Sequence, residues 1–167
     1  MLRTTYWILR GLNWLNWVLG VLFIFGATFV AFGYPQAFRD AAAAKDSAAP
    51  DAILTWLRLS VVLMVPMIAA VHIVCTRLGA IVGSVSTGAA FSLTNARHLR
   101  TIAWALLATQ VIDLAWGLVA MSASEASGEY LGWSFGLTGW LAVLLLFVLA
   151  RIFQQGATMR EELEGTV

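Results

Sequence analysis

The sequence predicts an all-α integral membrane protein, an antiparallel bundle of four spans with both termini in the cytoplasm. Three observations predict it. The chain of 167 residues is 60% hydrophobic and 11% charged, with a mean hydropathy of +0.83, whereas a soluble domain carries about 25% charged residues to dress its surface. Four runs are each long and apolar enough for a helix of about 20 residues to cross the hydrocarbon core. The arginines also collect on alternate connections between those runs.

The first run covers Leu12–Gly33. Arg3 and Arg10 ahead of it resemble the basic start of a secretion signal. The apolar stretch continues to Phe32, longer than the 7–15 residues of a signal core, and no clear Ala-x-Ala cleavage site flanks it. It reads as a retained span. The second run, Ile53–Cys75, contains Pro66, which removes one backbone hydrogen bond and predicts a local kink. The third covers Thr101–Met121 and the fourth Trp133–Phe153. None shows the strict alternation of a strand, and in lipid only helices and closed barrels satisfy their own backbone.

Arg3, Arg10, Arg77, Arg97, Arg100, Arg151 and Arg160 fall on one side of this arrangement. The other side holds Arg39, Lys45 and the near-boundary Arg58 with Asp40, Asp46, Asp51, Glu125 and Glu129. The positive-inside rule then puts the connection 77–100, the tail 154–167 and the N-terminus in the cytoplasm. Trp7, Trp14 and Trp104 would mark the inner edge, and Trp56, Trp116 and Trp133 the outer edge, as an aromatic belt. The outer connection 34–52 is Ala-rich and punctuated by Pro35 and Pro50, with room for a short helical turn. All of this fits a single membrane domain.

Composition also excludes. One cysteine, Cys75, allows neither an internal disulfide nor a Cys-x-x-Cys pair, which removes thiol oxidation chemistry. A net charge of +1 gives no reason to expect direct contact with nucleic acid. No nucleophile–base–acid set, metal-ligand cluster or phosphate loop stands out, so no enzyme, metal or cofactor is expected. His72 and His98 could ligate one haem only if both turned inward at one level, and hydrogen bonding within the bundle is the simpler expectation for each.

Asp113 is the costly residue. It lies mid-span, where an ionisable group costs about 2.5–3.5 kcal/mol unless it meets a partner or water. Gln110 shares its helical face, and Arg58 is the nearest cation in the neighbouring span. A clamp of Asp113 with Arg58 or Gln110 is the structural expectation; a transport or small-ligand site is the functional alternative. Asn13 and Asn16 could bond across helices. Gly132, Gly136 and Gly139 suggest a narrow face on the fourth helix, for packing in the bundle, for a homo-oligomer or for a larger membrane complex.

The connection 77–100 ends in Phe91-Ser-Leu-Thr-Asn95-Ala-Arg97-His-Leu99-Arg100. Ser92, Thr94 and Asn95 can all cap a helix, so the third helix is expected to start here. Arg97 and Arg100 share a face, for headgroup anchoring or for docking a partner. In the tail, Arg160 and Glu164 stand four apart and predict a helix continuing beyond the span.

Two stretches resemble a bacterial membrane family known as domain of unknown function 2975. One is Phe-x-x-x-Asn-x-x-x-Leu, here Phe91, Asn95 and Leu99, with Ala90 and Thr94 standing where members often have Pro and an acid. The other is a C-terminal Phe, paired acids and a closing Thr-Val, here Phe153, Glu161, Glu162, Thr166 and Val167. The resemblance implies four spans, no enzyme activity, and an inner-membrane protein often encoded beside a small helix-turn-helix transcription regulator. The expected function is regulatory, with Phe91–Arg100 and Glu161–Val167 forming a cytoplasmic docking face for such a regulator.

Overall fold

The computed structural model describes residues 2–44, 49–86, 91–128 and 130–164. Among them are five α-helices and no strand: α1 Leu2–Thr28, α2 Pro35–Ala43, α3 Pro50–Ser86, α4 Leu93–Ser127 and α5 Leu137–Glu164. Four segments, Arg3–Gly33, Pro50–Val85, Leu93–Ser127 and Leu137–Arg160, are long and apolar enough to cross a membrane. The protein is a multi-pass, all-α membrane bundle. Each long helix runs past its apolar stretch at one end or both.

Each helix end has a local cause. α1 runs into one π-helical turn, Phe29–Gly33, closed by the Tyr34 amide donating to the Phe29 carbonyl (3.1 Å). Pro35 then opens α2, where a missing N–H costs nothing. Asp51 sits in the first turn of α3, where a negative charge suits the helix dipole, and pairs with Arg39 of α2 at 2.8 Å. Ser92 caps α4: its hydroxyl accepts the Asn95 amide at 3.2 Å. Gly128, at φ +71°, ends α4 by donating its amide to the Ser124 carbonyl (2.9 Å). The fourth long helix starts at Leu137 and not at Trp133, which lies in the connection before it.

The chain forms two compact units. The first comprises Met1–Asn16, Ala69–Gln110 and Gly136–Val167; the second comprises Trp17–Ile68 and Val111–Phe135. In the first, α5 buries Val143, Ala150 and Ala157, every seventh residue, and exposes Leu141, Leu144, Leu145, Val148 and Ile152. A seven-residue repeat is the seam along which helices pack side by side, and the leucines left outside belong in lipid. α4 meets that core with Ala96, Leu99, Ile102 and Ala103. The buried set is rich in alanine, as expected where hydrocarbon surrounds the protein and close backbone packing must do the work of association.

The second unit relies on the same device. Gly20 of α1 faces Ile68 of α3 so closely that a Cβ on the glycine would collide with the isoleucine side chain. Ile68, β-branched and buried, has little room to turn away. Gly20→Val is therefore expected to destabilise the protein by about 1–3 kcal/mol in detergent unfolding. Adding Ile68→Ala should cost less than the sum of the two single changes, and strict additivity would show that the residues do not meet.

Candidate functional site

The arginine-rich end of the first unit is organised around Asn95. Its side chain is 1% exposed, and its Nδ2 donates to Ser84 Oγ of α3 at 2.7 Å. The Ser84 hydroxyl in turn lies 2.8 Å from the Ile81 carbonyl. Together with the Ser92 cap, this fixes where α4 begins and how it leans on α3. Asn95 is thus an anchor and offers no surface to a partner. Leu99 and Ala96 turn inward beside it, while Arg97 and Arg100 are exposed.

Phe91, ahead of the helix, is 54% exposed and stacks on Phe153 of α5 with ring centroids 5.0 Å apart. Gly156, one turn further along α5, leaves room beneath the same ring: a Cβ there would sit 3.7 Å from Phe91. The two sequence stretches carrying the family resemblance, distant in the chain, therefore meet at this aromatic pair. α5 continues to Glu164, with Glu162 exposed. The side chain of Glu161 and all of Thr166 and Val167 lie outside the described residues.

On the neighbouring helices of this unit, His72 Nδ1 and Asn13 Oδ1 are 2.9 Å apart. The histidine is held by an amide from α1. Gln110 lies against Gly139 of α5, whose missing Cβ makes space for the amide.

The second unit treats its charges differently from the expected clamp. Arg58 does not pair with Asp113. Its Nε and Nη2 both donate to the Ala31 carbonyl, at 3.3 and 3.1 Å, and its guanidinium lies 5.3 Å from the Phe32 ring centre. The last carbonyls of a helix lack intrahelical partners and carry the negative end of its dipole. A cation at the terminal π-turn answers both needs, so Arg58 is drawn to backbone.

Asp113 instead accepts from Trp133 Nε1, at 3.4 Å. Three features of the connection bring that indole back onto α4. Leu131 N donates to Ser124 Oγ (3.0 Å), Gly132 turns the chain at φ +65°, and Tyr130 donates its hydroxyl to the Trp133 carbonyl (3.1 Å). Gly117, one turn along α4, accepts the ring face: any Cβ there would strike the indole. Trp116 and Trp56, expected at the membrane edge, meet edge to face at 6.1 Å, with Phe23 6.0 Å from Trp116.

The glycine stripe needs correction. Gly132 and Gly136 precede α5, in non-helical chain, and neither has a neighbour against the position of a Cβ. Gly132 is required for its left-handed backbone, not for helix packing. Only Gly139 lies on the helix, and Gln110 occupies its face. The three glycines therefore do not share one helix face.

The family described as Protein of unknown function (DUF2975) matches residues 5–167. The chain belongs to the DUF2975 family. No curated protein and no solved structure matches it. In this DUF2975 protein, sequence reasoning missed Ser84, Trp133 and Phe153 as partners of the residues it selected. Serine spacing gives no hint of a cross-helix bond, and Trp133 reads as the first residue of a span. Phe153 alone was signalled, by its place in the second motif.

Trp133→Phe and Asp113→Leu should each destabilise the protein by about 0.6–1.7 kcal/mol, the range for hydrogen bonds between membrane helices. Asp113→Asn, which keeps an acceptor, should unfold near wild type. The Trp133→Phe/Asp113→Leu double variant should lose little more than one single change, and full additivity would break the assignment.

Proposed function

We propose that this DUF2975 protein is a non-catalytic regulatory protein of the bacterial inner membrane, with both termini cytoplasmic, that holds a small cytoplasmic helix-turn-helix regulator. The orientation draws its support from the arginine distribution. The partner class draws its support from the family resemblance.

The observation that carries the reading is the Phe91–Phe153 stack. It joins the two family stretches into one half-exposed aromatic patch, held in place by the buried Asn95–Ser84 bond and flanked by the exposed Arg97 and Arg100. A large exposed aromatic beside arginines is the composition of a binding hot spot. Here it stands on helix ends that project past the apolar runs. The last turn of α5 adds acidic residues, among them the exposed Glu162.

A transport role for Asp113 has less behind it. The carboxylate is engaged by Trp133, and the pocket of about 180 Å³ beside that indole is lined by Ala120, Met121, Ser124, Glu125, Tyr130 and Trp133, without Asp113.

The test is co-purification from membranes of the full chain with the product of an adjacent helix-turn-helix gene. Phe91→Ala should weaken retention of the regulator by about 2 kcal/mol, roughly thirtyfold, and deletion of residues 161–167 should release it to the soluble fraction. Unchanged retention in both variants removes the proposal.

A further inference from the structure

A groove of about 350 Å³ opens between α1 and α3 at the arginine-rich end of the first unit, lined by Tyr6, Leu9, Arg10, Asn13, Cys75, Thr76, Gly79 and Ala80. The docking face proposed above does not use it. We propose that this groove binds one anionic glycerophospholipid, with the headgroup phosphate on Arg10.

Depth is the first argument. Arg10 stands just ahead of the apolar run of α1, and Cys75 closes the apolar run of α3. The groove therefore straddles the level where hydrocarbon gives way to headgroups. Exposed Trp7 and Trp14 flank it on α1, at the position that interfacial indoles take.

The order of polar groups is the second argument. Arg10 is exposed, and its guanidinium lies 5.5 Å from the centre of the Trp7 ring. Stacking on the ring face leaves the N–H edge to meet an anion. Asn13 is one turn deeper, about 4.5 Å along the axis. With its Oδ1 on His72, its amide N–H groups remain to donate to ester carbonyls. Tyr6 lies one turn the other way, beyond the phosphate, where a headgroup hydroxyl would meet its phenol. Donor, cation and donor thus follow the order of groups along a glycerophospholipid.

Shape is the third. Gly79 presents no side chain, and the Tyr6 ring is close enough that a Cβ there would sit 3.9 Å from it. The groove is therefore bare at Gly79, and a side chain reaching beyond Cβ there would enter it. Basic pockets between membrane helices are a recognised mode of anionic headgroup recognition.

The experiment is native mass spectrometry of the full chain in a neutral detergent, with equimolar dioleoyl phosphatidylglycerol and dioleoyl phosphatidylcholine. The wild type should retain the glycerol lipid preferentially. Arg10→Gln, an exposed change that leaves the helices intact, should cut that retention about fivefold, the value of one surface arginine near an anionic lipid. Gly79→Leu should abolish it by filling the groove. Arg151→Gln, an exposed arginine of α5 outside the groove, should leave it unchanged. Equal retention of the choline lipid, or an Arg10→Gln protein that retains lipid as the wild type does, overturns the proposal. Equal loss in Arg151→Gln would reduce the effect to general charge and overturns it too. Displacement of the lipid by inorganic phosphate would make this a simple anion site, which also defeats it.

Discussion

A polar side chain within hydrocarbon, or buried between helices, has no water to turn to, so its partner must be supplied by another part of the chain. That constraint shapes both units. Asn95 meets Ser84, His72 meets Asn13, Arg58 meets the Ala31 carbonyl and Asp113 meets Trp133. Each pair joins two different elements, and each therefore fixes a register that apolar packing leaves loose. Leucine against lipid and leucine against leucine differ little in energy. Specific geometry has to come from the few groups for which the alternatives are costly.

The same constraint explains why Arg58 and Asp113 do not pair with each other. An arginine–aspartate bridge in the membrane would have to recover two desolvation penalties at one place. Here Arg58 and Asp113 each have a neutral partner whose own need is met in the exchange. Ala31 contributes a carbonyl orphaned at the end of α1, and Trp133 contributes an indole N–H that lies off any backbone ladder. Trp56 shows the converse: its Nε1 is buried without an acceptor, its ring standing edge to face with Trp116. Aromatic packing holds that ring where no hydrogen bond does.

The bundle was legible because span length and apolar content are collective properties, insensitive to any one residue. The start of α4 was legible too, since Ser92 carries its own chemical reason to cap. Partners were not. Arg58 bonds to backbone, and a carbonyl leaves no mark in a sequence; the π-turn that presents it has no compositional signature either. Trp133 was misread because an aromatic before an apolar run looks the same whether it opens a helix or folds back over glycine. Gly132 was misread for a related reason. Spacing of small residues suggests a packing face, but a glycine needed for positive φ has the same letter as one needed for closeness.

The Phe-x-x-x-Asn-x-x-x-Leu stretch gains a physical reading from this. Residues four apart share a helical face, so a motif at that spacing suggests a single surface. The structure divides it instead. Asn95 and Leu99 lie on the buried face of α4, whereas Phe91 stands before the first turn and reaches α5. The asparagine is suited to its place because it offers both a donor and an acceptor: Nδ2 donates to Ser84 while Oδ1 lies 3.0 Å from the same hydroxyl. A leucine there would leave Ser84 facing an apolar wall, and an aspartate would bring an uncompensated charge into the seam. With that seam fixed, the position of Phe91 over Phe153 follows from chain geometry, and an aromatic surface at the helix ends can be held still without being buried.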